Sequence, residues 1–111
     1  MREQKNSKLF NSLDFINKLI ERDESSVELI VQHYTNQLTN AAYGMGLSNS
    51  DADELIQNSW ITFFEKIGSF EKKSHIRTFL FGIFYNKSKE LHRERVRHTS
   101  DSPFEDIMAN Q

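Results

Sequence analysis

Residues 51–95 read "DADELIQNSWITFFEKIGSFEKKSHIRTFLFGIFYNKSKELHRER". Two helical periods lie in this stretch, separated by a polar segment. In the first, Ile56, Trp60, Phe63, Phe64 and Ile67 recur at the three- and four-residue spacing of one buried helix face. Asp51, Asp53 and Glu54 crowd its beginning, where the positive end of a helix favours carboxylates, and Ser50 with Asp53 has capping-box spacing. Gly68 is placed as the stop. The polar loop "SFEKKSH" follows. The second period starts near Ser74 and runs to about Arg97, with Ile76, Leu80, Ile83, Phe84, Lys87 and Leu91 on one side. The Lys87 stem can cover apolar surface while its head reaches water.

Upstream, two more helices complete the pattern. Leu13, Ile16, Leu19 and Ile20 predict one from about Ser12 to Arg22. Val27, Ile30, Val31, Tyr34, Leu38, Ala41 and Ala42 predict another from about Ser26 to Tyr43, opened by a Ser25/Glu28 capping box and stopped by Gly44 and Gly46. The expected fold class is all-α, a compact bundle of about four helices. The expected division is a flexible N-terminus at 1–11, a helical domain at 12–98, and a linker or tail at 99–111. That tail holds the single proline, three acidic residues and a short apolar group, Phe104, Ile107 and Met108.

The 111 residues suffice for one domain with a modest core. There is no cysteine, which excludes disulfides, thiolate metal sites and a cysteine nucleophile. The polar N-terminus has no apolar core of a signal peptide, and no apolar run approaches the roughly 18 residues of a membrane span. A cytoplasmic location is the expectation. No catalytic residue, metal site or cofactor is expected. The chain has no Gly-rich phosphate loop, no His-Glu-x-x-His and no nucleophile elbow. His33, His75, His92 and His98 lack ligand spacing.

Charge is segregated. Residues 1–65 are net −5, residues 66–98 net +6 and residues 99–111 net −3. A basic block inside an acidic chain points to a polyanion-facing surface, although a solvated helix face accounts for charge alone equally well. The last helix carries more than charge. Gly82, Asn86, Lys89 and Arg93 fall along one stripe away from its apolar side, with Tyr85 beside them, Phe81 and His92 further round, and Arg77 and Thr78 in the first turn. Cations neutralise phosphates, amides bond base edges, and aromatics stack on unpaired bases. The combination suits single-stranded nucleic acid better than an intact major groove. Packing of Phe81 and Tyr85 against another helix is the plainer alternative for each ring alone.

Taken together, these residues resemble region 2 of bacterial sigma factors, in particular the extracytoplasmic-function group. The acidic start Asp51–Glu54 is similar to the family's. Leu55-Ile56-Gln57, with Trp60 three positions on, matches its Leu/Val-x-Gln and aromatic. Phe70, Ile76, Phe79-Leu80-Phe81, Ile83 and Asn86 follow in register, and then the basic end at Arg93, Arg95 and Arg97. The resemblance extends over about residues 13–98. It implies a transcription initiation factor domain that binds RNA polymerase core and recognises and melts the minus-ten promoter element. It implies docking on the β′ clamp helices through Glu54, Gln57, Asn58 and Ile61. It implies a pocket for a flipped non-template base of the single-stranded promoter, drawn from Phe70, Lys72, Lys73, Ser74, His75, Arg77, Thr78, Phe79, Asn86, Lys89 and Arg93. It also brings an anti-sigma factor into view as a partner.

The chain departs from the family in three places. Phe79 stands where the family has Trp, which loses an N–H. Gly82 stands where Arg is frequent, and Gly inside a helix costs about 1 kcal/mol relative to Ala. The family's second DNA-binding domain, for the minus-35 element, does not follow, so a shortened form of a longer protein or a stand-alone region 2 protein is expected. The rival functions are a small helical duplex-DNA-binding regulator, which would use a turn of 3–4 residues and a recognition helix, and a protein-interaction module without DNA binding.

Overall fold

The computed structural model describes residues 8–100. After a helical turn at 8–10, the chain forms α1 (Leu13–Ile20), α2 (Glu24–Gly44), α3 (Asn49–Lys66), a 3-10 turn (Ile67–Ser69) and α4 (Ile76–Ser100). No strand occurs among the described residues, and none of their helices is long and apolar enough to cross a membrane. The all-α bundle expected from periodicity is the fold.

α3 is the central helix, packed on α2 along one side and on α4 along the other. Its Leu55, Ser59, Trp60 and Phe63 are buried, and so are Ile30, Tyr34 and Leu38 of α2 and Ile76, Leu80, Ile83 and Phe84 of α4. Removing each such apolar side chain from water contributes about 1.5–3 kcal/mol. Two polar contacts sit inside this packing. The Trp60 Nε1–H donates to Thr35 Oγ1 at 3.1 Å, linking α3 to α2. The Ser59 hydroxyl donates to the Leu55 carbonyl at 2.7 Å and so enters the core satisfied.

The helix starts differ from those expected, because a better acceptor lies just upstream. Asp23, not Ser25, caps α2: its carboxylate accepts from the Ser26 N–H at 3.1 Å and the Ser26 hydroxyl at 2.6 Å. Ser48, not Ser50, caps α3, accepting from the Asp51 N–H at 3.2 Å. Ser12, where the first helix was expected to begin, caps α1 by accepting from the Phe15 N–H at 3.2 Å. α1 stops at Ile20, and Arg22, inside the span expected to be helical, has a left-handed φ of 63°. Gly46 turns the α2–α3 connection at φ 83°, a conformation that favours glycine. Gly68 lies within the 3-10 turn instead of a left-handed cap.

Phe10 and Asn11 fall in the stretch expected to be a flexible N-terminus, yet they are packed. Phe10 is 1% exposed, against Phe15 and Tyr34, and Asn11 binds the start of α4. Conversely Leu13, counted on the apolar face of α1, is 61% exposed. Of the expected tail, residues 99 and 100 continue α4, and the rest lies outside the described residues.

Candidate nucleic-acid interface

α4 carries the polar stripe because its opposite side is consumed by the core. Thr78, Gly82, Asn86, Lys89 and Arg93 are all exposed, as is Tyr85. The side chains of Asn86, Lys89 and Arg93 make no bond within the described fold, so their donors and acceptors face outward unspent. At about 1.5 Å per residue, the stripe from Thr78 to Arg93 is roughly 22 Å long. That is a track, longer than a pocket for one base.

The loop before α4 continues the track. Lys72, Lys73, Ser74 and His75 are exposed, and with Asn11 they line a concavity of about 330 Å³. Lys72 takes a left-handed φ of 57°. Lys73 pairs with Glu71 at 2.9 Å, both well exposed, so the pair is easily given up to another anion. Asn11 Oδ1 accepts from the Ile76 N–H at 2.7 Å and thereby supplies a cap that the loop itself does not contain. No residue pattern marks this contact, since the partners are 65 positions apart.

Phe70 and Phe79 form the apolar wall beside the loop. Their rings lie 4.8 Å apart at 30°, and Phe79 also meets Phe63 at 5.6 Å. Both are half-buried.

Two expected members lie elsewhere. Arg77 points to the far side of α4, where its guanidinium covers the Phe81 ring at 4.2 Å and its Nε–H donates to Gln37 Oε1 at 3.3 Å. Phe81 is 8% exposed and belongs to the core, so the plainer packing alternative holds for it. Tyr85, 46% exposed, remains the accessible ring on this helix.

A second free surface lies on α3. Glu54, Gln57, Asn58 and Ile61 share the side turned away from Leu55, Ser59 and Phe63, and all four are exposed. Ile61 is 59% exposed amid polar neighbours, an apolar centre with a polar rim. The Glu54, Gln57 and Asn58 side chains are not engaged within the described fold.

A family model for sigma-70 region 2 matches residues 30–98. The RNA polymerase sigma factor NccH of Alcaligenes xylosoxydans xylosoxydans is 32% identical over 77 residues, which cover 68% of this chain and 41% of that protein. The chain thus spans less than half the length of this relative. No solved structure matches the chain.

Proposed function

Since the chain belongs to the sigma-70 region 2 family, we propose that it is a transcription initiation module that docks on RNA polymerase core and holds the melted minus-ten element of a promoter. The α3 face of Glu54, Gln57, Asn58 and Ile61 meets the β′ clamp helices. Lys72, Lys73, Ser74 and His75 of the loop, with Thr78, Asn86, Lys89 and Arg93 of α4, follow the non-template strand. Phe70 and Phe79 wall the site in which a flipped base sits, and unstacking that base costs a few kcal/mol that the pocket must offset. Arg77 takes part only after leaving Gln37. The module works where the polymerase is, in the cytoplasm, and an anti-sigma factor can regulate it by covering either face. The helical domain is taken as residues 12–98 with the packed Phe10 and Asn11 added.

One observation carries the proposal. Two adjacent helices each bury one side in a shared core and leave the other side free, one polar around a single isoleucine, the other cationic with an amide and an aromatic. A rigid block with two such faces can hold a protein and a strand at once. The test is titration of the protein with purified core RNA polymerase, with a fluorophore on residues 1–7, followed by addition of a minus-ten non-template oligonucleotide. Saturable binding of polymerase and then of strand is expected. Preference for duplex DNA without polymerase would instead favour a duplex-binding regulator.

A further inference from the structure

Gly82 sits inside α4 on its exposed side, between Thr78 one turn before it and Asn86 one turn after it. The described fold gives no reason for a glycine there. Its backbone is helical and not left-handed, so no turn needs it. A Cβ at this position would meet nothing within 4 Å, so no neighbouring helix needs the space. Glycine in a helix interior is weaker than alanine. α4 is thus weakened at a point where nothing within the described fold uses the gap.

The gap has chemically distinct borders. Side chains on a helix lean toward its N-terminus and cover the turn before their own Cα. Tyr85 and Asn86, three and four positions after Gly82, therefore lean toward the turn that holds it. Tyr85 is 46% exposed, and its ring is backed by the buried rings of Phe84 at 5.3 Å and Phe81 at 6.2 Å. A ring supported in this way has little freedom left to lose when a partner packs on its exposed part. The Asn86 amide is exposed and makes no bond within the described fold.

A supported aromatic ring, a bare stretch of backbone and an unspent amide suit a flat group that stacks and carries donors and acceptors on its edge. A nucleobase is such a group. Lys89 and Arg93, on the same side of α4, fit the phosphates that come with it. We propose that the gap at Gly82 seats one unpaired base of the bound strand, stacked on Tyr85 with its edge at Asn86. This seat rests on the function proposed above and deepens it. It is separate from the wall of Phe70 and Phe79 beside the loop, because Gly82 lies six residues into α4, about 9 Å along the axis from Ile76. The strand is thereby held at a second base, where a side chain at position 82 would stand in its way.

The test is anisotropy of a labelled minus-ten non-template oligonucleotide on the polymerase-bound protein. Tyr85→Ala should weaken strand binding about 5- to 150-fold, the worth of one stacked base. Tyr85→Phe keeps the ring and should bind like the wild type. Gly82→Leu should raise the urea midpoint, because leucine favours the helix and its Cβ has room, yet weaken strand binding by a similar factor. A scan of abasic sites along the oligonucleotide should find one position at which wild type and Tyr85→Ala bind alike. Wild-type affinity in Tyr85→Ala or in Gly82→Leu would overturn the seat and leave strand binding by the module standing. So would a loss in Tyr85→Ala that is the same at every abasic position, or a loss in Tyr85→Phe, which would make the hydroxyl the contact in place of the ring. Failure of the wild-type complex to bind the strand at all would overturn the proposed function and the seat with it.

Discussion

The Asn11 side chain closes the N-terminus of α4 by accepting the Ile76 N–H at 2.7 Å across 65 positions of sequence. A helix start has four N–H groups without partners of their own, and here one of them is satisfied from outside the helix. The same asparagine borders the concavity under Lys72, Lys73, Ser74 and His75. It therefore fixes both where α4 begins and how the loop is held.

Asn11→Ala should cost about 1 kcal/mol of stability, the usual cost of a lost cap. Urea unfolding followed by far-ultraviolet circular dichroism measures it. Strand binding should fall further than polymerase binding, because the loop loses its support while α3 is untouched. Equal loss of both would mean that Asn11 matters only for global folding.

Gln57→Ala/Asn58→Ala should weaken polymerase core binding about 5- to 30-fold, the range of 1–2 kcal/mol at an interface. Ile61→Asp should weaken it more, since it places a charge at the apolar centre of the face. All three positions are exposed, so the midpoint of unfolding should not move. Unchanged affinity in the fluorescence titration would remove α3 from the docking surface.

On α4 the amide and the cations should separate. Asn86→Ala should cost about 1–3 kcal/mol of binding to one preferred strand sequence and little with others. Lys89→Ala should weaken all strands alike and lower the salt slope of binding by about 0.7, the single-strand value per phosphate contact. Anisotropy of labelled oligonucleotides on the polymerase-bound protein, across a salt series, distinguishes the two. A salt slope unchanged by Lys89→Ala would place that lysine off the strand.

The α2 cap predicts a pH dependence. Hydrogen bonds from the Ser26 hydroxyl, the Ser26 amide and the Ser25 hydroxyl hold the Asp23 carboxyl below its ordinary value of 3.8. A carboxylate whose pKa is depressed by folding stabilises the fold above its unfolded pKa, and that contribution disappears as pH falls through the folded one. Asp23→Asn should thus show a flatter decline of urea midpoint than the wild type below about pH 4. Parallel declines in the two proteins would show that other carboxylates govern acid unfolding.

Period and composition made the bundle legible. The buried set of α3 and α4, from Ile56 to Leu80, lies where the three- and four-residue spacing puts it, because those side chains have one place to go. The ends were less legible. Asp23 and Ser48 each lie two residues before the serines that the sequence favoured, and several acceptors in a row leave that choice to the tertiary fold. Phe81 shows the same limit on the α4 face. Its helical angle places it outside the core arc, yet Arg77 covers its ring and Gln37 of α2 holds Arg77 there. The α4 track could be read because free polar side chains follow helical period. Asn11 could not, because a lone asparagine carries no mark of a distant partner.

Arg22 adds a second brace of the same kind. With its backbone in the left-handed region, its guanidinium donates to the Phe64 carbonyl near the end of α3 and lies over the Phe64 ring. The family match begins at residue 30, so both braces, Asn11 and Arg22, precede it. The unit that a family shares and the unit that folds therefore have different borders here. During synthesis at about 5–20 residues per second, Asn11 leaves the ribosome several seconds ahead of Ile76. The nascent chain thus carries the clamp for its binding loop before the loop itself has been made.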